Sequence, residues 1–142
     1  MMSKIDKVLY TGKTRIAGGG RDGYARSDDG RLDVQLASFG SRAPGTNPEQ
    51  LLGAGWGACY LGAIRITARE YKVALPEDSA VAVVVDLCLS GENDYRLRAR
   101  IRVELPGLHA ELARELAMRA HSVCPYSKAL RASTEVETDV VV

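Results

Sequence analysis

Three cysteines, Cys59, Cys88 and Cys124, are the residues through which this sequence could do chemistry. Cys59 lies in "GWGACYLGA", the most apolar part of a stretch from Thr46 to Glu70 that reads as one long helix. Gly53, Gly55 and Gly57 come just before it, and each glycine costs a helix interior about 1 kcal/mol relative to alanine. A free cysteine in such a setting is commonly an inert core residue. A reactive one needs a group that stabilises the thiolate, such as an arginine, and a second thiol within reach to capture its oxidised form. Cys124 is a candidate for the second thiol, because it stands at a helix end before a Pro-Tyr-Ser turn, where access and movement are expected. Cys88 lies mid-strand, on the face opposite Val83, Val85 and Leu87, and reads as packing.

An odd number of cysteines without short regular spacing does not make a secreted disulfide framework. There is no CxxC, and His109 and His121 have no ligand spacing to any cysteine, so no metal site is expected. Reactive thiols in a reducing compartment fit better. The N-terminal "MMSKIDKVLYTGK" lacks the apolar core of a signal peptide, which points to the cytoplasm. No apolar run approaches the roughly 18 residues that suggest a membrane span. With 19 Lys and Arg against 18 Asp and Glu, no basic excess argues for nucleic acid. The 142 residues are expected to form a single domain, residues 1–142, long enough to bury a core.

The elements that must position the thiols follow from pattern. "KVLYTGKTRIA" is expected to be a strand, "GGGRDG" a turn, and "RLDVQLA" a strand with Leu32, Val34 and Leu36 on one face. A loop, "SFGSRAPGT", leads to the helix, where Asn47 suits the N-cap, Pro48 the first helical position and Gln50 a capping box. Leu51, Leu52, Trp56, Leu61, Ile64 and Ile66 spread around this helix, the pattern of a buried one. Its small residues would let another backbone come close. "SAVAVVVDLCLSG" and "YRLRARIRVEL" read as a hairpin around "GEND". Tyr95, Leu97, Ala99, Ile101 and Val103 are expected inward, with Arg96, Arg98, Arg100 and Arg102 on a solvated face. "LHAELARELAMRAHSV" is an amphipathic helix with Leu108, Leu112, Leu116, Ala120 and Val123 coreward, and Pro125 disfavours helical geometry at Cys124. A strand, "TEVETDVVV", closes an α+β pattern.

"GGRDG", "TNPEQL" followed by "GACYLGA", and "HSVCPYS" resemble the organic hydroperoxide resistance branch of the OsmC/Ohr family of thiol peroxidases. The resemblance runs from about Val8 to Val142, with the motifs in order and at the family's distances. It implies antiparallel sheets wrapped around long central helices in an intertwined homodimer, with sites at the subunit interface. It implies that Cys59 is the peroxidatic and Cys124 the resolving cysteine. Arg21 would stabilise the thiolate and guide the peroxide, and Glu49 would hold that arginine. The substrate would be an organic or lipid hydroperoxide. The reductant would be a dithiol, a dihydrolipoyl group on a protein rather than thioredoxin, and no metal or other cofactor is required. From their nearness to these motifs, Leu51, Leu52, Trp56 and Tyr126 are expected to line an apolar substrate pocket. In "CPYSKALRAS" the piece "SKAL" is closer to the osmotically inducible branch, so a peroxidase of that type is the near alternative. A redox-sensing binding module would use the same cysteines, but no DNA-binding helix pair is recognisable.

Glu49 and Cys59, ten residues apart, are separated by roughly 15 Å of straight helix. Either the helix breaks at its glycines, or the arginine and carboxylate reach Cys59 from a second chain.

Overall fold

The computed structural model describes Ile5 and residues 7–142. The expected lack of a leader core falls partly on residues 1–4 and 6, outside the described residues. The chain divides into two compact units, one ending at Pro48 and the other spanning Glu49–Val142.

The first unit is a three-stranded antiparallel meander of β1 (Thr14–Ala17), β2 (Tyr24–Ser27) and β3 (Asp33–Gln35). The expected first strand is therefore shorter, and residues 7–13 are exposed without regular structure. The glycine-rich turn joins β1 to β2. Gly18 and Gly20 have φ of 81° and 77°, a region closed to most side chains. A Cβ on Gly23 would run into the Ala17 carbonyl. Leu32 and Val34 are half-buried and Leu36 is buried, so the alternation of that strand holds.

The second unit opens with α1 (Pro48–Glu70), 23 residues without a break. It ends in a Schellman motif: the Lys72 amide donates to Arg69 O and the Val73 amide to Ala68 O, with Lys72 in the left-handed region at φ 58°. The buried residues of α1 form one stripe, Trp56, Tyr60, Ala63, Ile64, Thr67 and Ala68. Leu51, Leu52 and Leu61 are half-buried and Ile66 is exposed, so a single chain covers only one side of a helix expected to be buried all round. The glycines face this same chain: a Cβ on Gly53 would meet Val83 O at 3.5 Å, one on Gly57 would meet Val83 Cγ2 at 3.3 Å, and one on Gly55 would meet the Tyr126 hydroxyl at 3.0 Å.

The strands β4 (Ala80–Ser90) and β5 (Asp94–Glu104) pair antiparallel over their full length. On β5, Ala99, Ile101 and Val103 are buried and Leu97 half-buried, whereas Tyr95, at the hairpin end, is exposed. The arginine row is exposed, and three of its members are paired, Arg98 and Arg100 to Asp86 at 3.0 and 3.3 Å, and Arg96 to Asp94 at 2.9 Å.

Two helices follow, α2 (Ala110–Val123) and α3 (Pro125–Arg131), then β6 (Glu135–Val141). Because this helical crossover returns the chain to the same end of the sheet, β6 runs parallel to β5. The second sheet is thus mixed in one pairing where antiparallel strands were expected. No helix among the described residues is long and apolar enough to cross a membrane. The fold is α+β, with the core of the second unit between α1, α2 and the sheet.

Candidate active site

α1 carries Cys59 one residue before Tyr60, whose side chain is fully buried. The periodicity of the helix therefore leaves Cys59 beside the core stripe, half-buried. Cys124 sits between α2 and α3 in extended geometry, φ −69° and ψ 118°, as the following proline requires. It caps α3, accepting a hydrogen bond at sulfur from the Ser127 amide at 3.4 Å.

The two sulfurs meet. The Cys124 thiol donates to Cys59 Sγ at 3.3 Å across 65 residues of sequence, a separation well outside a disulfide bond, so both are free thiols. Cys124 has no exposed surface. That corrects the expectation of an accessible thiol: it is presented to Cys59 and not to solvent. Burial pushes the Cys59 thiol above its ordinary value, a backbone hydrogen bond from Tyr126 opposes this, and the neighbouring Cys124 adds to the upward shift. Cys88 lies apart, half-buried on β4 opposite Arg96.

Behind Cys124 is a buried polar network that sequence reasoning missed. Trp56 Nε1 donates to Ser127 Oγ at 3.0 Å. His121 Nδ1 lies 2.9 Å from the same hydroxyl, and His121 Nε2 lies 2.9 Å from Thr138 Oγ1. Tyr60 stacks on the imidazole, with centroids 4.3 Å apart and planes 16° from parallel, and donates its hydroxyl to Ala117 O at 2.6 Å. Burial, with the Arg131 charge, lowers the His121 pKa to about 4, so the ring is neutral near pH 7. The signal for its burial was available: His121 follows Ala113 and Ala117 at intervals of four along α2, all three buried.

Of the other expected site residues, Glu49 is half-buried in the first turn of α1, in the same unit as Cys59. The helix is continuous between them, so about 15 Å separates them along its axis. Arg21 is an exposed residue of the β1–β2 turn in the first unit. Leu51 and Leu52 are half-buried and Tyr126 is 42% exposed, but Trp56 has no exposed surface and belongs to the core instead of a pocket wall. Among the described residues no group of His, Cys, Asp and Glu could hold a metal ion. A half-buried thiol held against a buried one can undergo a two-electron dithiol–disulfide cycle.

The family model described as OsmC-like protein matches residues 40–139. The organic hydroperoxide resistance protein of Xanthomonas axonopodis pv. citri is 36% identical over 95% of this chain and 96% of its own. The crystal structure of an organic hydroperoxide resistance protein from Legionella pneumophila superposes with a TM-score of 0.89 and 37% identity, covering 96% of this chain and 100% of that one. OhrB of Bacillus subtilis gives 0.87 and 35%, covering 94% and 99%.

Proposed function

The chain belongs to the OsmC-like protein family, in its organic hydroperoxide resistance branch, and on that premise we propose that it is a cysteine-based peroxidase that reduces organic hydroperoxides to alcohols. The observation that carries the reading is the 3.3 Å approach of Cys124 Sγ to Cys59 Sγ.

The Cys59 thiolate attacks the distal oxygen of the hydroperoxide. The O–O bond breaks, the departing alkoxide takes a proton and leaves as the alcohol, and Cys59 becomes a sulfenic acid. Cys124 then attacks the Cys59 sulfur, expelling water and forming the disulfide before a second peroxide can carry sulfur to the sulfinic state. A dithiol, of which a protein-bound dihydrolipoyl group is the proposed case, reduces the disulfide by exchange and is itself oxidised. Chemistry of this kind needs a reducing compartment, which makes the cytoplasm its proposed place.

Burial raises the Cys59 pKa, so a cation must offset it to supply thiolate at neutral pH. Arg21 is the proposed cation, always charged, with Glu49 orienting it. The continuous α1 keeps Glu49 from its own Cys59, which supports a homodimer in which Arg21 and Glu49 come from a second copy. Leu51, Leu52 and Tyr126 are the proposed contacts for the organic tail.

Steady-state turnover with alkyl, lipid and hydrogen peroxides, each paired with dihydrolipoamide or thioredoxin, tests the reading. Fast consumption of organic hydroperoxides with dihydrolipoamide, abolished by Cys59→Ser, is expected. Appreciable activity in Cys59→Ser would refute it.

A further inference from the structure

We infer that His121, bridging Thr138 to Ser127, is a positioning residue that locks Cys124 against Cys59. This deepens the proposed function and rests on its reading of the two cysteines as a redox pair.

A helix as short as α3, seven residues, has no stability of its own, so its place must be fixed by tertiary contacts. Ser127 is its one buried residue. The Ser127 hydroxyl joins Trp56 of α1 to His121 of α2, and His121 continues to Thr138 of β6. Two elements directly, and a third through His121, thus hold the residue whose own amide donates to Cys124 Sγ. The chain of contacts runs Thr138, His121, Ser127, Cys124, Cys59.

The hydrogen-bond inventory fixes the tautomer. Ser127 Oγ accepts from Trp56, and its own proton has no acceptor among the described residues except His121 Nδ1. His121 therefore carries its proton on Nε2 and donates it to Thr138 Oγ1. Tyr60, stacked on the ring, keeps it from turning. With every member satisfied, the network is rigid, and rigidity behind Cys124 raises its effective concentration at the Cys59 sulfur. Removing one member frees the reduced pair, while the covalent disulfide stays constrained, so disulfide formation becomes less favourable.

The test is equilibration of the full chain, carrying Cys88→Ala, with reduced and oxidised glutathione, the Cys59–Cys124 disulfide being read by alkylation and mass spectrometry. Two protein thiols and one oxidised glutathione give the protein disulfide and two reduced glutathiones, so no peroxide enters. Thr138→Val and Ser127→Ala are each expected to lower the effective concentration about tenfold, a shift of about 30 mV towards a more oxidising potential. Thr138→Ser, which keeps the hydroxyl, should restore the parent value. Ile64→Val, a core truncation outside the network, should leave the potential unchanged. If both network variants stay within about twofold of the parent, or if Ile64→Val shifts as far as they do, the positioning role is overturned. A parent that equilibrates normally but consumes no hydroperoxide would refute the proposed peroxidase and leave this inference decided by the same titration.

Discussion

The roles proposed for Arg21 and His121 towards the two cysteines are opposite, one acting as a charge and the other by refusing one. Burial alone makes Cys59 a poor thiolate, so Arg21→Ala should raise its pKa further in the assembled protein, read by titrating thiolate absorbance; an unchanged titration would leave Arg21 with no part in activating the sulfur. His121 titrates near pH 4 in the fold and near 6.5 when unfolded. Between these values the unfolded chain binds a proton that the fold refuses. The stability is present in full above about pH 6.5 and is lost as pH falls towards 4, by about 3 kcal/mol, a large share of the 5–15 kcal/mol typical of a domain. Urea midpoints from pH 7 to 4.5 should fall steeply in the parent and less steeply in His121→Asn. Equal slopes would mean that the imidazole is not the group refusing the proton.

At the scale of elements, the glycines of α1 receive a different explanation from the one their spacing suggests. Gly57 lets the helix settle on β4 of its own chain and Gly55 makes room for Tyr126, whereas Gly53 faces β4 with space for a methyl. A methyl on Gly53 would meet Val83 O at an ordinary 3.5 Å, so Gly53→Ala should stabilise the fold by up to about 1 kcal/mol through helix propensity. Gly57→Val, starting from 3.3 Å to Val83 Cγ2, should cost about 1–3 kcal/mol by overpacking. Denaturant midpoints check both; a marked loss in Gly53→Ala would show that another backbone lies against that face. The bounds of α1 and the β4–β5 hairpin were legible, because long periodic stretches and strict alternation report burial directly. β2 was not, since "YARS" is too short to show a period, and α3 was hidden in "CPYS", which reads equally well as a turn. Site burial was the least legible feature. Cys124 and Ser127 are enclosed by α1, and the Trp56–Ser127 hydrogen bond spans 71 residues of sequence, beyond any local pattern.

For the whole molecule, sedimentation at micromolar concentration should give twice the 15.3 kDa chain mass, with activity lost on dilution to monomer; a fully active monomer would end the proposal that Arg21 and Glu49 reach Cys59 from a second copy. The thiol cycle itself stands or falls on a simpler experiment, since it needs neither reductant nor steady state. One equivalent of an organic hydroperoxide added to the reduced protein should be consumed with one equivalent of alcohol released. Intact and peptide mass spectrometry should then show the loss of two hydrogens and a Cys59–Cys124 cross-link. Unconsumed hydroperoxide, or oxidation that leaves Cys59 and Cys124 as free thiols, would contradict the account.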